Sequence, residues 1–154
     1  MSDFTLPTID AQTTAEEYAQ IIAQYNEVGF PGTLNARMGM EYLELGHDFI
    51  TARVPVEGNL QPAGLFHGGG HVVLAETLGS THAALRAGGH NVVGVDLNAT
   101  HLRSITSGYV YGRAEVLHGG RSLFSHEVRM TDEAGRLLSI VRISNMVLSS
   151  QKKY

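Results

Sequence analysis

Cysteine is absent from the 154 residues. That excludes disulfide bonds and every zinc site built on thiolates, and it fits a reducing compartment. Charge is also sparse: Asp, Glu, Lys and Arg make up 17% of the chain and leave a net charge of −4. Such a balance carries no basic surface that would call for nucleic acid or an anionic membrane. No apolar run reaches membrane-spanning length, and the first residues lack the charged-then-apolar pattern of a signal peptide. A cytoplasmic location is therefore expected. The last scarcity is local. Residues 58–95 hold a single carboxylate, Glu76.

What is present suffices for one globular domain, since hydrophobic residues are 43% of a chain long enough to bury a proper core. Residues 1–12 read as a loose leader. Thr14-Ala15-Glu16-Glu17 matches a capping box, and Tyr18, Ile21, Ile22 and Tyr25 recur at helical spacing, which predicts a helix over 15–27 ended by Gly29. From residue 40 the period changes to two. A short strand over 40–45 and a second through Ile50, Ala52, Val54 and Val56 are expected to pair across Gly46-His47-Asp48. Residues 57–66 form a loop, and residues 68–86 a helix that is apolar on nearly every face, stopped by Gly88-Gly89. Four strands follow, over 91–103, 109–118, 122–131 and 137–148, with Gly119-Gly120 as a hairpin turn. One apolar helix among about six mostly antiparallel strands predicts an α+β fold with the sheet wrapped around the helix.

Two features of the central helix carry chemistry. A lone acid on a helix expected to be buried is costly unless paired or used. Arg86 lies ten residues on, about 15 Å along the axis, so it cannot pair with Glu76 within the helix. The plain alternative is an acid that reaches solvent. The second feature is His67-Gly68-Gly69-Gly70 at the helix start. Glycines there leave bare N–H groups at the positive end of the dipole, suited to an oxyanion or a polarised carbonyl. On its own the run could equally be a flexible loop. An acid together with an oxyanion-binding helix end suggests acyl-transfer chemistry. His67 and His71 are four apart, as in a metal pair, but Gly68 stands where the zincin pattern needs Glu, and His82 is about 16 Å beyond His71. No metal is expected.

Spacing also bears on assembly. Glu76 lies eight residues past Gly68, about 12 Å along the axis. A reacting acid and an oxyanion donor must both come within about 3 Å of the reacting atoms. If both serve one substrate, the acid comes from a second copy of the chain, and each helix gives its N-terminus to one site and its Glu76 to the other.

Gln61, the stretch Gly64-Leu65-Phe66-His67-Gly68-Gly69, Glu76 and Ser80, followed by four strands, resemble the hotdog-fold acyl-CoA thioesterases. The pattern is similar to the branch of phenylacetic-acid-degradation-type and glutamate-dependent 4-hydroxybenzoyl-CoA thioesterases. The resemblance runs over about 39–148. It implies a leader and helix over 1–38 and a hotdog thioesterase domain over 39–154. It implies Glu76 as nucleophile or general base, Gly68 as the amide that polarises the thioester carbonyl, Gln61 and His67 as supporting polar residues, and Ser80 in place of the usual Thr. Arg121 and Ser122 would contact the coenzyme A nucleotide. Arg103, Arg142, Lys152 and Lys153 are further cations for its phosphates, each equally an ordinary surface charge. The family is usually a homodimer paired into a homotetramer, with the active site at the dimer interface, and needs no cofactor, coenzyme A being part of the substrate. The expected activity is hydrolysis of an acyl-CoA thioester, with an aromatic acyl group. An enoyl-CoA hydratase or dehydratase and a non-catalytic acyl-CoA-binding module are the competing functions on this fold.

Overall fold

The computed structural model describes residues 6–149. Helix α1 (Ala15–Val28) begins at the expected capping box: the Thr14 hydroxyl accepts from the Glu17 N–H, and the Glu17 carboxylate accepts from the Thr14 N–H at 2.7 Å. It ends at Gly29, whose φ of 56° is the left-handed value that glycine adopts most easily. A five-residue helix α2 (Leu34–Met38), capped by the Thr33 side chain, was not expected. Strands β1 (Glu41–Leu45) and β2 (Phe49–Pro55) form the expected hairpin. Then come the long helix α3 (Gly68–Arg86) and strands β3 (Val92–His101), β4 (Tyr109–Gly119), β5 (Leu123–Thr131) and β6 (Leu137–Val147).

The six strands make one antiparallel sheet in the order β1-β2-β4-β5-β6-β3, with α3 packed against it. This is the hotdog architecture. Leu74, Leu78 and Leu85 of α3 are fully buried against Val110, Val128, Met130, Val141 and Ile143 of the sheet. Each such leucine contributes about 1.5–3 kcal/mol relative to exposure. Two glycines permit the close approach. A Cβ at Gly112 would meet Leu78 Cδ1 at 2.9 Å, and one at Gly79 would collide with Ile143.

The leader is not loose where it is described. Ile9 is buried, and its N–H donates to Leu85 O at 2.8 Å, which straps the chain across the end of α3. The other correction concerns α3 itself. Its core face is covered, but Glu76 is exposed, and Thr77, Ser80 and Thr81 are half-buried. The sheet wraps one side of the helix, so the chain alone does not supply the apolar surroundings expected for the acid. Strand β3 is the reason. As an edge strand it is exposed along most of its length, Val95 to 51%, where a central strand would be covered. No helix among the described residues is long and apolar enough to cross a membrane.

Candidate active site

The start of α3 is built as the glycine run suggested. His67 is the N-cap, and its Nδ1 accepts the Gly69 N–H at 2.8 Å, while the Gly70 N–H donates to His67 O. The N–H of Gly68 has no acceptor among the described residues and stays available at the positive end of the helix dipole. Gln61 sits in the preceding turn, where it donates its N–H to Leu65 O and accepts from the Gly64 N–H. A hydrogen bond from the Phe66 N–H to Ile105 O fixes the approach to the helix.

Sequence reasoning missed the residue that faces this end. His101, at the end of β3, lies so close to Gly68 that a Cβ there would meet its Nε2 at 2.9 Å. Its Nδ1 is 3.0 Å from Ser139 Oγ, which in turn donates to Thr100 O. With that hydroxyl proton committed to the carbonyl, His101 Nδ1 is the donor to Ser139 Oγ, and Nε2 faces Gly68. His71 packs behind it at a ring separation of 5.3 Å and edge-on to Phe66. Burial, and then the neighbouring His101, push its pKa down to about 4, so His71 is neutral packing. Among the described residues, no three His, Asp or Glu side chains group closely enough to hold a metal ion.

Glu76 lies in a second cluster. Its Oε1 stands 3.5 Å from the point where Gly94 of β3 would carry a Cβ, and Asn145 Nδ2 stands 3.8 Å from the same point. Asn145 Nδ2 donates to Ser80 Oγ at 2.8 Å. Ser80, one turn beyond Glu76, can therefore direct its own proton outward, toward the carboxylate or a water. Asn145 is fully buried and its Oδ1 has no partner among the described residues, a cost of about 1–3 kcal/mol that structural packing alone leaves unexplained. This residue too was missed. Its only sequence signal is a lone amide, beside Ser144, near the end of β6. On the other flank, Thr77 Oγ1 donates to Asn35 Oδ1 of α2 at 2.9 Å.

The two clusters do not meet within the chain. Gly68 and Glu76 remain about 12 Å apart along α3, with His101 marking one end of β3 and Gly94 the other. Arg121 and Ser122 line a cavity of about 640 Å³ together with Arg86, His90 and Phe124. Arg86 is held there by Asp48 at 2.9 Å. Arg103 is elsewhere: its guanidinium donates to Leu137 O at the start of β6, while Ser122 O accepts from Val147 at its end. Those points are ten residues apart along the strand, about 33 Å. Arg103 and Arg121 of one chain cannot grip the same diphosphate. Arg142 is occupied with Glu127, and Lys152 and Lys153 lie outside the described residues.

The fold agrees with what this chain is similar to. The Thioesterase superfamily profile matches residues 63–139. A Deinococcus radiodurans esterase relative is 44% identical over 123 residues, 79% of this chain and 77% of its own. The proofreading thioesterase EntH of Cronobacter turicensis is 41% identical over 119 residues, 76% of this chain and 87% of its own. Among solved structures, a Haemophilus influenzae thioesterase superposes with a TM-score of 0.78 at 30% identity, covering 97% of this chain and 99% of that one. A Pseudomonas aeruginosa thioesterase gives 0.79 at 32%, covering 82% and 93%. The chain belongs to the thioesterase superfamily.

Proposed function

We propose that this thioester hydrolase cleaves an acyl-coenzyme A with an aromatic acyl group, in a site assembled from two copies of the chain. The observation that carries the reading is the position of Glu76: exposed on α3, beside the bare edge strand β3, and about 12 Å along the helix from the free Gly68 amide.

An antiparallel pairing of two β3 edges centred near Leu97 or Asn98 brings the His101 end of one strand beside the Gly94 end of the other. The partner's Gly68 then stands near Glu76, in a crevice that the second copy closes to water. The thioester carbonyl oxygen accepts from the Gly68 N–H and faces the positive helix end. Glu76 attacks the carbonyl carbon, or takes a proton from the water that does. Collapse of the tetrahedral intermediate breaks the carbon–sulfur bond, and thiolate leaves readily. Water adds its hydroxyl to the acyl group and its proton to the thiolate. His67 and Gln61 hold the loop that aims the amide. Ser80, oriented by Asn145, donates toward the carboxylate or its water. Arg121 and Ser122 serve the phosphates of coenzyme A. No cofactor enters this chemistry, and a further pairing of dimers into a tetramer and a cytoplasmic location complete the reading.

A panel of benzoyl, phenylacetyl and straight-chain coenzyme A thioesters, read by release of free thiol, tests it. Turnover favouring aryl substrates is expected. Hydration of an enoyl-CoA without thiol release, or binding without turnover, would refute it.

A further inference from the structure

We propose that Gly94 is kept without a side chain to seat the hydrolytic water against Glu76, with Asn145 steering that water through Ser80. This rests on the hydrolytic reading above and adds to it the place from which water attacks.

A glycine inside a strand is held at a cost, since it loses more chain freedom than alanine and packs nothing. It otherwise marks a left-handed backbone, a bulge, close packing or an approaching ligand. The first three do not account for Gly94. Its φ is not positive. A β-bulge follows it, between Gly94 and Asp96, but a bulge needs glycine only where the backbone turns left-handed. Packing does not forbid a side chain either. A Cβ would meet Glu76 Oε1 at 3.5 Å, Asn145 Nδ2 at 3.8 Å and Ile143 Cδ1 at 4.0 Å, all ordinary contacts, whereas one at Gly79 would collide with Ile143. What a Cβ would remove is the open space beside the carboxylate. Gly94 and Glu76 are both exposed, so water enters that space from the crevice.

Asn145 supplies the direction. It is wholly buried on β6, in register with Gly94 on one side and Phe124 on the other. Its Nδ2 donates to Ser80 Oγ at 2.8 Å. A helix hydroxyl readily turns its proton back to the carbonyl four residues earlier, here that of Glu76. Among the described residues the Ser80 hydroxyl bonds only to Asn145, so its proton is free for the crevice. Ser80 stands one turn past Glu76 on the same stripe of α3. A water over Gly94 accepts from Ser80 Oγ and donates to Glu76 Oε1, and a lone pair remains for the thioester carbon. Its oxygen bonds to that carbon while Glu76 takes the proton. The tetrahedral intermediate then breaks its carbon–sulfur bond, and Glu76 passes the proton to the thiolate. Glu76 is the base in this scheme and forms no bond to the acyl group. Asn145, covered from solvent, is a positioning residue that acts through Ser80.

Steady-state and rapid-quench kinetics with benzoyl- and octanoyl-coenzyme A in Gly94→Ala and Asn145→Val test this, beside thermal unfolding and sedimentation. Alanine lowers the entropy of the unfolded chain, and valine removes the amide Oδ1 that has no partner among the described residues. Both variants should therefore melt at or above the wild-type temperature and keep its oligomeric state. Their kcat should nevertheless fall about ten- to a hundredfold, with KM within about twofold. Thiol and free acid should appear together, with no acyl group on Glu76 by mass spectrometry. Four results would overturn the assignment and leave the hydrolase reading intact: an unchanged kcat in both variants; a raised KM with kcat kept, which puts the added methyl against the substrate; activity that returns at high protein concentration, which gives Gly94 to strand pairing; or a burst of thiol that leaves an acyl group on Glu76. Failure of the wild type to release thiol from either ester would remove the hydrolase reading, and this assignment with it. If Gly94→Ala does not fold, Asn145→Val reads the same seat, since its effect should vanish in a Ser80→Ala background.

Discussion

The two edges of the sheet are treated in opposite ways. At β1 the chain closes its own edge: the Asn26 side chain occupies both backbone groups of Tyr42, and α1 lies along the strand. At β3 the edge is bare, with apolar Val95 about half exposed and most positions on both faces uncovered. An open apolar edge invites pairing with another strand. The closed edge borders the cavity between α1, α2, β1 and α3, and the open one borders Glu76. One side of the fold is thus finished by the chain itself and the other is left open to pairing.

The largest effect is expected at the open edge. Glu76→Gln should lower thioester hydrolysis by about two to three orders of magnitude with KM little changed, as for loss of a group that acts in the transition state; steady-state kinetics with thiol detection measure it. Val95→Lys places a charge on the bare edge of each copy. It should weaken self-association at least about tenfold and make activity depend on protein concentration, read by analytical ultracentrifugation beside kinetics. At the closed edge, Asn26→Ala should lower stability by about 1–3 kcal/mol, from two backbone groups left unpaired, without altering the oligomer; urea unfolding followed by gel filtration separates the two. A reversal of these last two outcomes would exchange the roles of the edges.

The smallest effect lies between the edges, in the core. His82 Nδ1 and His126 Nε2 are 2.9 Å apart, both fully buried. Burial holds His82 at about 4 and His126 at about 3, against an ordinary value of 6.5. The unfolded chain therefore takes up protons that the folded one refuses. Stability from this pair is complete above about pH 6.5 and declines as pH falls from there toward 4. Melting temperature should follow that window, and His126→Phe should flatten part of it.

Much of the fold was legible because its periods are strong. The bounds of α3 come from glycines on one side and the apolar stripe, and the last strands from alternation between tight turns. Helix α2 was not, since five residues hold no complete apolar repeat. Nor was the exposure of Glu76. A helix apolar all round reads as covered all round, and a sequence does not say whether the cover comes from its own chain. Of the site, Gly68 and His67 were legible as a helix start and Glu76 as an acid out of place. His101 and Asn145 were not, because strand register, rather than spacing along the chain, brings them to Gly68 and Ser80.

Subunit mixing tests the shared site most directly. Glu76→Gln chains keep the Gly68 amide, and Gly68→Val chains keep Glu76 while their added side chain displaces His101. Each variant alone should be nearly inactive. After subunit exchange of an equal mixture, half of the dimers are mixed and each holds one intact site, so activity should return to roughly a quarter of wild type. Exchange verified by mass spectrometry with activity no greater than the sum of the two separate variants would show that acid and amide do not meet across copies.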